Sequence, residues 1–182
     1  MNTALILIDI QNDYFEGGAM TLDGSEKASS NAKLLLNHFR SKGLPVLHVQ
    51  HIATRPTATF FVPNTKGAEI HANVAPLADE KVVVKHFPNS FRETDLQDWL
   101  SSNEITNLTI CGMMTHMCVD ATVRAAKDLG YECTLVADAC ATKNLEIQNV
   151  VVNAKDVHNS FTAALSYFYA TVTNTEEYLS AQ

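Results

Sequence analysis

Three residues whose types could do chemistry each end or follow an apolar run. Asp9 closes the run LILI in ALILIDIQNDYF, and Lys85 closes VVV in KVVVKHFPNSF. Cys118 follows the β-branched run that ends in Cys111-Gly112, within TICGMMTHMCVDATVRAA at residues 109–126. A thiol in the first turn of a helix meets unsatisfied N–H groups and the positive dipole end, which favour a thiolate nucleophile. An ammonium beside it would lower its pKa below the free value of about 8.5. A carboxylate completes the set as a proton acceptor. Each residue also has a plainer reading: a packing cysteine, a lysine reaching solvent and an aspartate capping a strand end.

The elements that must position these groups follow from periodicity. Strands are predicted at residues 4–8, 45–50, 81–84, 107–111, 131–137 and 170–173. Helices are predicted at 28–42, with Leu34, Leu35 and Phe39 inward, and at 94–100, 115–129, 153–167 and 175–179. Val119, Thr122, Val123 and Ala126 form a small-residue face on the third helix. Strands alternating with helices predict a three-layer α/β/α, Rossmann-like fold around a largely parallel sheet of about six strands. In such a sheet the carboxyl ends of the strands carry the ligand site. That edge is where Asp9, Lys85 and Cys118 would meet. Residues 51–79 show no clear period, and a connection that long usually carries function or an interface.

At 182 residues, 1–182 is expected to be one domain. With 46% hydrophobic and 18% charged residues, the chain is globular rather than disordered. A net charge of −7 without a basic stripe argues against a nucleic-acid partner. No apolar run approaches the roughly 18 residues of a membrane span. The chain opens directly on a strand, so no signal peptide is expected. Cys111, Cys118, Cys133 and Cys140 form no CxxC pair, and a reduced, cytoplasmic setting is the expectation.

Together these segments resemble the isochorismatase-like cysteine hydrolases, which include nicotinamidases and N-carbamoylsarcosine amidohydrolase. The resemblance runs nearly end to end. Its most specific part is G-x-x-T-x-x-C-V-x-x-T-x-R-x-A, from Gly112 through Thr115, Cys118, Val119, Thr122 and Arg124 to Ala126. It implies an Asp9–Lys85–Cys118 triad acting on a small amide or ureido C–N substrate through a thioester. It also implies a cis peptide between Met113 and Met114, and an oxyanion hole from the backbone N–H groups of Met114 and Cys118. Tyr14, Phe60 and Phe61 would wall the acyl pocket. From its place in the junction loop His116 would either line the pocket or face solvent, and Gln11 and Asn89 are further polar candidates. Asp13 reads as a loop organiser, and Arg124 as a partner for a carboxylate.

Relatives that hold a metal carry Asp-x-His after the second strand. Here that region reads HVQHIATRP, with His48 and His51 but no such element, and His71 lies further on. Neither a metal nor another cofactor is therefore expected. The family is often homo-oligomeric, and residues 51–79 with Phe60-Phe61 are a candidate interface. Two rival functions remain. Isochorismate-type vinyl-ether hydrolysis needs protonation more than a nucleophile, and Cys118 counts against it. A redox-sensing thiol protein would use Cys118 alone and leave Asp9 and Lys85 unexplained.

Overall fold

The computed structural model describes residues 2–181. Six strands form one sheet, β1 (Thr3–Ile8), β2 (Val46–His51), β3 (Lys81–Lys85), β4 (Asn107–Met113), β5 (Glu132–Ala141) and β8 (Thr171–Thr173). Their order is β3-β2-β1-β4-β5-β8, and every pairing is parallel. Central β1 reads ALILI without polar interruption because both faces are covered, and residues 4–8 are fully buried. A separate antiparallel hairpin joins β6 (Leu145–Ile147) to β7 (Val150–Val152).

Helix α1 (Ser25–Ser41) follows β1, and α2 (Leu96–Ser102) precedes β4. Then come α3 (Asp120–Asp128), α4 (Ala154–Ser166) and α5 (Thr175–Ser180). Helix α1 packs with α5 and against β1, β4 and β5, while α3 packs with α4. The β1–α1–β2 and β4–α3–β5 crossovers run in opposite directions along the sheet. Because such crossovers are right-handed, their helices cover opposite faces. The chain reverses direction between β1 and β4, and the crevice above those two strands is the switch point.

Several boundaries differ from the sequence reading. Helix α1 starts three residues earlier, at Ser25, because Gly24 (φ +73°) turns the chain and its carbonyl accepts from Ala28 N–H. Its buried stripe is Ala28, Ala32, Leu35, Leu36 and Phe39, which leaves Leu34 51% exposed rather than inward. Residues 150–152 are a strand, closed on β6 through Gln148 and Asn149, both at positive φ as a tight hairpin needs. Strand β5 runs on to Ala141 because its pairing with β4 shifts between Ile110 and Gly112, letting Met113 pair with Ala141. The predicted helix 115–129 opens as a π-turn over Thr115–Val119 and becomes α-helical only from Asp120.

Candidate active site

The register of the sheet builds the site. Gly112 of β4 pairs with Ile8 of β1. Gly112 has φ +135°, and a Cβ there would lie 2.1 Å from Ile8 O, so only glycine fits. The next peptide, Met113–Met114, is cis, as the resemblance implies. The π-turn then follows, with Met114 O accepting from both Met117 N–H (3.0 Å) and Val119 N–H (3.3 Å). The Thr115 hydroxyl does not cap this turn. It donates instead to Ala141 O (3.3 Å) and meets His158 Nδ1 (3.0 Å). Cys118 sits in the turn with its side chain directed inward, 4% exposed.

Asp9 leaves β1 with φ +49°, a left-handed conformation that aspartate tolerates better than most residues. Its N–H still donates to Val49 O (3.0 Å), so the backbone is anchored while the carboxylate turns into the sheet edge, fully buried. Lys85 closes β3 and is likewise buried. Its Nζ lies 2.7 Å from Asp9 Oδ2, 3.2 Å from Cys118 Sγ, 2.9 Å from His51 Nδ1 and 3.1 Å from Phe87 O. The contacts to Cys118, His51 and Phe87 have hydrogen-bond geometry, and the Asp9 contact is an ion pair.

These neighbours set the protonation states. Burial would strip the proton from Lys85, but Asp9 and Cys118 outweigh it and hold the pKa above its ordinary value. Burial, and then the Lys85 charge, push His51 down to about 4. Its neutral ring therefore accepts at Nδ1 from Lys85 and keeps its proton on Nε2.

For Cys118 the expected depression is reversed. Burial first, then the Asp9 charge, push the thiol well above its free value, against the opposing pull of Lys85. The sulfur is almost wholly buried, and the cost of placing a charge there outweighs the pull of its cationic neighbour. Burial and the Asp9 charge both favour the protonated form of Cys118.

A cleft of about 590 Å³ opens over Cys118. Tyr14, Phe60, Phe61, Phe87, Met114 and Met117 line it. Tyr14 meets Phe61 edge-on at 4.7 Å. Phe61, at φ +54°, is pinned by its N–H to Asp13 Oδ2 (2.6 Å), while Ala19 N–H donates to Asp13 Oδ1 (3.1 Å). Asp13 thus organises two loops, and Gly67 lies against it so closely that a Cβ would be 2.1 Å from Oδ1.

Not every candidate reaches the cleft. His116 is turned away from it, with Nδ1 on Thr142 Oγ1 (2.5 Å) and its ring edge-on to Phe161. Asn89 accepts from Phe91 N–H within a turn (2.9 Å). Arg124 pairs with Asp120 one helical turn back and lies over Tyr169. His71 stacks on Phe15. Gln11 is a clamp: it donates to His51 O (2.9 Å) and Ala68 O (2.7 Å) and accepts from His51 N–H (2.8 Å).

His51 is the residue whose part the sequence reading missed. Parallel pairing places it opposite Lys85, and the signal available was its position at the end of the second apolar strand. Asp9, His51 and Cys118 offer ligand atoms within 4.8 Å of one another. Lys85 Nζ lies within 3.2 Å of all three, so an ammonium already holds the position a cation would take.

A doubly wound parallel sheet with a buried cysteine at its switch point places this chain among the cysteine hydrolases. It belongs to the isochorismatase family: the Isochorismatase domain model matches residues 3–177. It is 55% identical over 179 residues to the uncharacterized isochorismatase family protein YddQ of Bacillus subtilis, covering 98% of this chain and 99% of that protein. The nicotinamidase of Escherichia coli K12 is 29% identical over 187 residues, covering 80% and 86% of the two chains. The crystal structure of an isochorismatase from Pseudomonas putida KT2440 superposes with a TM-score of 0.91 at 36% identity, covering 97% of this chain and 89% of that one. The chain is accordingly a hydrolase of this family.

Proposed function

We propose that the protein hydrolyses a small amide or ureido C–N bond through a thioester on Cys118. The convergence of Asp9 and Cys118 on one buried ammonium, under an open cleft, carries this reading. A nicotinamidase among the relatives supports an amide substrate.

The thiol passes its proton to Asp9 as Sγ attacks the carbonyl carbon, so no free thiolate need persist in the buried site. The oxyanion that forms is met by the N–H groups of Met114 and Cys118, both cleft residues. As the C–N bond breaks, Asp9 returns its proton to the departing nitrogen, releasing amine or ammonia and leaving the acyl–Sγ thioester. Water, deprotonated by Asp9, attacks that carbonyl. The C–S bond breaks, the acid leaves, and the proton on Asp9 goes back to Sγ. Lys85 stays protonated throughout and offsets whichever of the two groups is anionic.

An ammonia-release screen over primary amides and ureas tests the reading. Turnover that disappears in Cys118→Ala is the expected result. A panel with no substrate for enzyme whose Cys118 still alkylates would count against it.

A further inference from the structure

The cleft has one permanently charged side chain on its wall, Arg55, in the segment between β2 and Phe60. Its other lining side chains are aromatic, aliphatic or thioether groups, three threonine hydroxyls (Thr54, Thr57, Thr59), His51, His86 and the Cys118 thiol. No acidic side chain lines the cleft. Among the described residues, the Arg55 guanidinium is exposed and takes part in no hydrogen bond or salt bridge, unlike Arg40 on Glu80 and Arg124 on Asp120. Its charge nevertheless bears on His51 beside the reacting thiol. His86 spends Nδ1 on Ile52 O (2.7 Å).

The balance of charge follows. On the floor, Lys85 is matched by Asp9 while Cys118 rests as a thiol. His51 is neutral. That leaves Arg55 as an uncompensated positive charge on the wall of a mostly apolar space, on a protein whose overall charge is −7. A cleft with low-dielectric walls focuses such a local charge, so the global negative charge does not cancel it there. Guanidinium prefers a planar oxyanion with two acceptor atoms.

We propose that the substrate is an anionic amide or ureide, carrying a carboxylate at the end remote from the scissile carbonyl, and that Arg55 is the residue that selects it. This rests on the hydrolase reading above and names its substrate class. The scissile carbonyl would sit over Cys118, the connecting carbons against Phe60, Phe61 and Met117, and the carboxylate at Arg55. A volume of about 590 Å³ lies within the range of roughly 300–1,000 Å³ for small-molecule sites.

The test uses matched pairs: succinamate, glutaramate and adipamate beside butanamide, pentanamide and hexanamide, with ammonia release as the readout. At least one ω-carboxylated amide should exceed its neutral partner in kcat/KM by roughly 10- to 100-fold, and Arg55→Gln should collapse that ratio. Arg55→Lys should restore part of it, chiefly in KM. Equal rates within every pair, or a preference that survives Arg55→Gln, overturn the proposal.

A second measurement does not need turnover. Succinate, glutarate and adipate should slow iodoacetamide labelling of Cys118 in the wild-type enzyme and lose that protection in Arg55→Gln. If no amide is hydrolysed but the dicarboxylates protect through Arg55, the anion site stands and the amide reading fails. If they give no protection at millimolar concentration, the anion site fails whatever the reaction.

Discussion

Lys85 and His51 end adjacent strands in register, and the ammonium of one lies 2.9 Å from the Nδ1 of the other. This contact is one of four that keep a fully buried lysine charged. Three neutral or anionic acceptors and the Asp9 carboxylate surround it, replacing the solvation that burial removes. It also makes Lys85 the shared counter-ion of Asp9 and Cys118, so changes at any of these four residues are expected to couple.

Removing the nucleophile is the simplest case. Cys118→Ala should lower activity by roughly 10³-fold or more, since the covalent step has no substitute. Its thermal midpoint should shift by only a few degrees, because one sulfur atom is lost from a wall open to the cleft. Activity and melting curves measured on the same preparation check this.

Asp9→Asn keeps the shape of the side chain and removes the proton acceptor. A loss of at least roughly 10²-fold is expected. The Cys118 pKa should fall, because the negative charge that raises it is gone while Lys85 remains. Iodoacetamide labelling as a function of pH reads that shift directly.

Lys85→Met acts in the opposite sense. It leaves Asp9 as an unpaired buried charge, which should cost about 3–5 kcal/mol in a denaturant titration. It also removes the neighbour whose charge and hydrogen bond lower the Cys118 pKa. Labelling should therefore move to higher pH. An unchanged profile would show that Lys85 does not act on the thiol.

The position of His51 gives a pH signature. Its folded pKa, about 4, lies below the ordinary value of 6.5. Between those values the unfolded chain binds a proton that the folded chain refuses, so stability rises with pH across this window and is lost as pH falls from about 6.5 to 4. His48, also lowered by burial, acts in the same direction. The urea midpoint of His51→Gln should consequently fall less on acidification than that of the wild type.

Activity should persist after exhaustive EDTA treatment. The reason is the ammonium at the focus of Asp9, His51 and Cys118, where a divalent ion would meet a like charge. Loss on chelation with recovery on adding zinc would contradict it.

Much of this arrangement was readable from the chain. Strands such as ALILI are continuous apolar runs because parallel strands are buried on both faces, and their ends mark the ligand edge without any three-dimensional information. Asp9, Lys85 and Cys118 were visible for that reason. His51 was not, because its partnership with Lys85 depends on strand register, which spans 34 residues of sequence. Cys118 misled in charge: its place near a helix start was correct, but only the packed structure shows how deeply the sulfur is buried and that Asp9 lies beside it. His116 lies two residues from Cys118 yet faces α4, since residues two apart on a helical turn point to opposite sides. The β6–β7 hairpin was missed because Gln148-Asn149 is a turn without the usual glycine.

Acid-quenched mass spectrometry during turnover tests the central claim, that a buried thiol deprotonated by Asp9 becomes acylated. The peptide carrying Cys118 should gain the mass of the acyl group, and no other cysteine peptide should. The adduct should build up only with Asp9 intact. Turnover at the full rate with Cys118 never acylated would contradict the account.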